Sequence, residues 1–176
     1  AHLGGFGGFE GVKKAKGELY DFLSKKKGIV FVNAANDLLM DMVSKRRAFG
    51  EIVFYNSVMQ ENKPVLVRDN SAFIAYSQED QTVCTQLVGE YNFDNIAAAL
   101  TVAQYFNISS DDANAAISGY VPDNNRSQVV VQNSNTIFLD AYNANPSSMA
   151  AALENFQNVA ANKKMVILGD MLELGD

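Results

Sequence analysis

Along the first third of the chain the apolar positions change period twice. From residue 12 to about 26, Val12, Ala15, Leu19, Phe22 and Leu23 recur at helical spacing and predict an amphipathic helix. Residues 28–34, GIVFVNA, are nearly all apolar and rich in β-branched side chains, the pattern of a strand buried in an α/β sheet. A short helix is predicted over 37–44, with Asn36 or Asp37 as its cap. EIVFYN, PVLVRD, SAFIAYS and QTVCTQLV then follow as four short strand-like runs separated by polar turn residues, which predicts an antiparallel sheet. Helices return at 92–106, alanine-rich and amphipathic, and at 110–118, where Ser110, Asp111 and Asp112 mark an N-terminus. SQVVVQ and TIFLD predict two further strands, and Asn145-Pro146 opens a helix over about 147–160. KKMVILGD reads as a last buried strand. The expected class is α/β, a mixed sheet with flanking helices plus a small antiparallel sheet.

Composition narrows the function classes. With 176 residues there is room for one domain, or one domain and part of another. Hydrophobic residues are 48% and charged residues 19% of the chain, as in a globular protein. A formal net charge of −6 argues against nucleic acid or an anionic membrane surface as partner. No apolar run approaches the roughly 20 residues needed to span a bilayer. One cysteine, Cys84, and one histidine, His2, exclude a disulfide framework and a cysteine- or histidine-rich metal cluster. A soluble, cytoplasmic protein is expected. The closing strand lacks a helix to cover it and His2 lies in the opening loop, so the chain is expected to be cut from a longer protein at both ends.

The glycine-rich opening AHLGGFGGFEG invites a phosphate-loop reading, but no stretch matches G-x-x-x-x-G-K-[ST]. Lys16 falls about 40° from Val12 at about 100° per residue, at the edge of the predicted apolar stripe. There it can lose hydration and become a reactive neutral amine, or pack its stem and keep its ammonium in water. Asp140 ends a strand, where α/β sheets bind ligands; it can accept from ribose hydroxyls or anchor the following turn. Asn92 reads as an N-cap. Asn95 sits one turn into the helix, where asparagine has poor propensity, so a functional amide explains it better. Arg126 precedes a strand and can meet phosphate or simply be a solvated turn residue. A lone histidine identifies no metal.

The strings AHLGGF, AKGELY, GEYNFDNIAAAL, NNRSQ, LDAYNANPSSMAAAL and VILGDMLELG occur in that order. Together they resemble the Mur ligase family over essentially the whole chain. DAYNANPSSM and LGDMLELG are most similar to the branch that adds D-alanyl-D-alanine to UDP-N-acetylmuramoyl-tripeptide. The resemblance implies a three-domain parent whose phosphate loop lies upstream. Residues 1–161 would be the later part of a central ATP-binding domain, and 162–176 the first strand and turn of a C-terminal Rossmann-like domain. It implies an ADP-forming carboxylate–amine ligase of peptidoglycan precursor synthesis, using ATP and magnesium through an acyl phosphate. The alternatives are another amide ligase of the superfamily, similar to folylpolyglutamate synthase, or a non-catalytic module that keeps the fold. By the same resemblance Lys16 is the lysine carried as a carbamate and a metal ligand, and His2 is a ligand of a second magnesium. Asn95 with Asn92 is the adenine-side contact, Arg126 lies near the nucleotide, and Asp140 binds ribose. Gly4 stands where relatives commonly carry an acidic residue.

Overall fold

The computed structural model describes residues 4–69 and 71–171. They divide into two compact units, one holding residues 4–63 and the other Pro64–Met171.

In the first unit a single 3-10 turn, Gly4–Phe6, leads into helix α1, Phe9–Lys26. The helix stops where Lys27 turns left-handed (φ 52°) and the Gly28 N–H donates to the Leu23 carbonyl at 2.8 Å. Strand β1 (Ile29–Asn33), helix α2 (Asp37–Ser44) and strand β2 (Glu51–Tyr55) follow, and β1 pairs with β2 in parallel, Val30 opposite Ile52. Asn36 caps α2 by accepting from the Leu39 N–H at 3.1 Å. Val30, Val32 and Val43 form the buried core, with Tyr20, Leu23, Leu39, Met40, Phe49 and Ile52 packed on it. EIVFYN is therefore not part of the antiparallel sheet that its run of apolar residues suggests. A five-residue alternation looks alike in either kind of ladder, and the crossover helix α2 makes this pairing parallel.

The second unit opens with that antiparallel sheet: β3 (Val65–Val67), β4 (Phe73–Gln78) and β5 (Gln81–Val88), in the order β3-β4-β5. Gln78 pairs with Gln81 across a two-residue turn, Glu79 and Asp80, both at positive φ, as a tight hairpin requires. A 3-10 turn, Glu90–Asn92, runs straight into α3 (Phe93–Tyr105), and α4 (Ser110–Gly119) follows, capped by Ser109. Hairpin β6 (Gln128–Gln132) and β7 (Asn135–Leu139) precedes α5 (Pro146–Asn158), where Asn145 and Ser148 cap each other reciprocally. The core joins Ile74, Tyr76 and Val83 of the sheet to Ile96, Leu100 and Ala113 of α3 and α4. Fully buried Tyr76 gives its hydroxyl proton to Asn114 Oδ1 at 2.6 Å.

The run KKMVILGD forms no strand: among the described residues nothing pairs with it, and Met165, Ile167 and Leu168 are exposed. An apolar run becomes a buried strand only where a ladder partner and cover on both faces exist. No helix among the described residues is long and apolar enough to cross a membrane.

Burial pushes the Tyr76 phenol up to about 12 from its ordinary 10.0. The folded state thus keeps the proton that the unfolded chain releases, so this contribution is complete below pH 10 and is lost as pH rises through about 12. Tyr76→Phe leaves the Asn114 carbonyl without this donor and lowers stability at neutral pH by about 1–3 kcal/mol. It also flattens the fall in stability on the alkaline side. Urea midpoints measured across that pH range check both effects.

Candidate functional site

Three residues singled out by sequence come together in the second unit. The start of α3 holds Asn92 and Asn95, and Asn95 Nδ2 donates to Asn92 Oδ1 at 3.0 Å. Asn92 Nδ2 donates to the Val88 carbonyl at 2.9 Å and to Ser127 Oγ at 3.1 Å. Ser127 Oγ lies 2.6 Å from Tyr91 Oη, and Tyr91 in turn donates to Asp140 Oδ2 at 3.3 Å. One connected group thus runs from Asn95 to Asp140.

Local structure explains each placement. Asn92 is not the N-cap that its position suggests: its backbone is already helical (φ −76°, ψ −12°) and its side chain caps nothing. A cap needs extended backbone, and the preceding 3-10 turn denies it that geometry. The freed amide is buried and ties β5 to the loop before β6. That loop is a knot of left-handed residues, Asn125 (φ 58°) and Ser127 (φ 50°). It is pinned by the Ala141 N–H donating to the Asn125 carbonyl at 2.8 Å and by Asn125 N–H donating to Gln128 Oε1 at 3.2 Å. Gln128 faces Leu139 across the hairpin, so Ser127 and Asp140 are the next residues outward on the two strands.

Gly89 makes room for Tyr91. Its φ is +90°, and a Cβ there would stand 2.4 Å from Tyr91 Cε1. Partial burial raises the Tyr91 phenol above its usual range, although the residue as a whole is 41% exposed; the Ser127 hydrogen bond opposes that rise and the Asp140 charge and hydrogen bond add to it. Arg126 is exposed, and its guanidinium carbon stacks 3.6 Å from the centre of the Tyr142 ring. Tyr91 and Ser127 were not found by sequence reasoning, although each stands beside a residue that was, in GEYNFDN and NNRSQ.

Lys16 belongs to the first unit and is exposed. The expected apolar stripe is only half right: Leu19 and Phe22 are exposed at 61% and 56%. The packed face of α1 is carried instead by Gly17, Tyr20 and Leu23. Arg46, at the end of α2, fixes that rotation by donating to the Gly17 carbonyl at 3.1 Å and to Asp21 Oδ1 at 2.6 Å. The described residues of this unit therefore do not bury Lys16. His2 lies outside the described residues. Among the described residues no group of three His, Cys, Asp or Glu side chains could hold a metal ion.

The chemistry of the Asn95–Asp140 group suits a nucleoside. Carboxamides present donor and acceptor together, as the edge of a purine requires, and a carboxylate accepts from vicinal hydroxyls.

The Mur ligase middle domain matches residues 1–103, more than half of the chain. The chain belongs to the Mur ligase family. The Mur ligase, glutamate ligase domain matches residues 125–176. This Mur ligase chain is 30% identical over its full length to the UDP-N-acetylmuramoyl-tripeptide–D-alanyl-D-alanine ligase of Bacillus subtilis, and 31% identical to that of Haemophilus influenzae. It spans 38% of the length of each. Among solved structures it is similar to MurF from Acinetobacter baumannii, with a TM-score of 0.73 at 26% identity, covering 100% of this chain and 39% of that one. MurF from Thermotoga maritima in complex with ADP gives 0.76 at 23% identity, covering 100% and 41%, a likeness of fold.

Gly89→Ala forces a side chain into the Tyr91 ring at a backbone angle it tolerates poorly, and is expected to cost more than about 1 kcal/mol. Gly119→Ala is the control, since a Cβ there meets nothing within 4 Å. Thermal melts of the two variants should separate them by several degrees.

Proposed function

We propose that this Mur ligase chain is the nucleotide-facing part of an ATP-dependent, ADP-forming ligase. The ligase joins the carboxylate of UDP-N-acetylmuramoyl-tripeptide to the amine of D-alanyl-D-alanine in peptidoglycan precursor synthesis. The observation that carries this reading is the hydrogen-bonded group linking Asn95 and Asn92 to Asp140 through Ser127 and Tyr91. The names of the relatives supply the substrates.

In the proposed reaction the tripeptide carboxylate attacks the γ-phosphorus of ATP, and ADP leaves with the electrons of the broken P–O bond. The amine of D-alanyl-D-alanine then attacks the acyl phosphate and expels inorganic phosphate. Little of this is covalent work for the protein; its part is to hold the reactants in line and meet developing charge. Asn95 serves the adenine, with Asn92 behind it as the buried amide that holds it, Asp140 serves the ribose hydroxyls, and Arg126 the phosphates, lifted from Tyr142 or presented by it. Magnesium, when bound, would neutralise charge on the transferring phosphoryl group; Lys16 as a carbamate and His2 are the proposed ligands, on family resemblance alone. A nucleotide-activated substrate and ATP fit a cytoplasmic enzyme.

In the full-length ligase, ADP release is expected to require D-alanyl-D-alanine; release driven equally by other amines would point to another amide ligase. Asp140→Ala should raise the KM for ATP about tenfold and leave the KM for D-alanyl-D-alanine unchanged. An unaltered ATP dependence returns Asp140 to a turn-anchoring role. Lys16→Ala should abolish ligation, unrestored by bicarbonate, while shifting stability by no more than about 0.5 kcal/mol as a surface substitution. Retained turnover removes Lys16 from the machinery.

A further inference from the structure

Two hydroxyls stand between the amide end and the carboxylate end of the site, and the reaction as proposed uses neither. Their distances are 2.6 Å from Tyr91 Oη to Ser127 Oγ, 3.3 Å from Tyr91 Oη to Asp140 Oδ2, and 3.1 Å from Asn92 Nδ2 to Ser127 Oγ. The chemistry of the groups sets the direction of every proton. An amide N–H only donates, and an ionised carboxylate only accepts. Once Tyr91 gives its single proton to Asp140, its oxygen must accept from Ser127. Ser127, having given its own proton, accepts from Asn92, and Asn92 Oδ1 accepts from Asn95. Four hydrogen bonds run head to tail toward the carboxylate, and bonds in such a chain polarise one another.

Two local features hold this chain in place. Ser127 is buried, so its hydroxyl cannot readily exchange its partners for water. The Tyr91 ring packs against Gly89, where no Cβ fits. We propose that Tyr91 and Ser127 are positioning residues that aim the Asp140 carboxylate at a ribose hydroxyl of a nucleoside triphosphate and couple it to the Asn92–Asn95 amide pair. The inference rests on the nucleotide reading of the site. It adds that Asp140 discriminates sugars only while the two hydroxyls hold it, and that the base and sugar contacts are not independent.

The test is made on the full-length ligase, with kcat/KM for ATP compared with that for 2′-deoxy-ATP and 3′-deoxy-ATP. The wild type should prefer ATP over at least one analogue by about tenfold, and Asp140→Ala should lose that preference. Tyr91→Phe, which keeps the ring and removes only the oxygen, should shrink it to about threefold or less, with the KM for D-alanyl-D-alanine unchanged. Ser127→Ala should do the same and carries the readout if Tyr91→Phe does not fold. Added to Asp140→Ala, Tyr91→Phe should change the preference no further, the mark of residues acting through one group. A wild-type preference in both Tyr91→Phe and Ser127→Ala, while Asp140→Ala has lost it, overturns this inference and leaves the nucleotide reading intact. Equal use of ATP and both analogues by the wild type overturns the ribose role of Asp140, and this inference with it.

Discussion

The side-chain amide of Asn92, buried at the start of α3, donates to the Val88 carbonyl and to Ser127 Oγ at 2.9 and 3.1 Å. It thereby fastens the end of β5 to the loop that enters β6. Without it, a buried carbonyl and a buried hydroxyl would each lose a partner, at about 1–3 kcal/mol apiece. Everything proposed for the site leans on this fastening. The amide brings the helix that carries Asn95 beside the hairpin that carries Asp140, and Tyr91 and Ser127 fill the space between. The 3-10 turn before α3 is what frees the amide, because it lets the helix begin without a side-chain cap.

The site is thus assembled at the junctions of regular elements. Its parts come from the exit of β5, the first turn of α3, the loop before β6 and the end of β7. The left-handed Ser127 and the positive φ of Gly89 fall at these junctions, and backbone strain of this kind clusters at functional sites. The packed core of Tyr76, Ile96 and Leu100 joins α3 to the sheet.

Much of the fold was legible because local signals agreed. GIVFVNA gave β1, Asn36 gave the cap of α2, and Asn145-Pro146 gave the start of α5. What could not be read were pairings and rotations, which depend on distant residues. EIVFYN carries no mark that separates a parallel partner from an antiparallel one. KKMVILGD has the composition of a buried strand but finds no ladder among the described residues. Lys16 was placed by a helical stripe that included Leu19 and Phe22, yet Arg46, 30 positions beyond Lys16 in the sequence, sets which face of α1 packs. Asn95 stood out as a poor helix former one turn into a helix and Asp140 by its place at a strand end, whereas Tyr91 and Ser127 are ordinary in a turn. Only the hairpin register reveals that Ser127 and Asp140 are neighbours.

The most direct measurement is nuclear magnetic resonance of the full-length ligase labelled at asparagine amides and aspartate carboxyls, titrated with an ATP analogue that cannot be hydrolysed. The account predicts that the side-chain signals of Asn92, Asn95 and Asp140 move together along one saturation curve, as members of a single bonded group in contact with the nucleotide. Saturation of the protein with all three signals unmoved would contradict it.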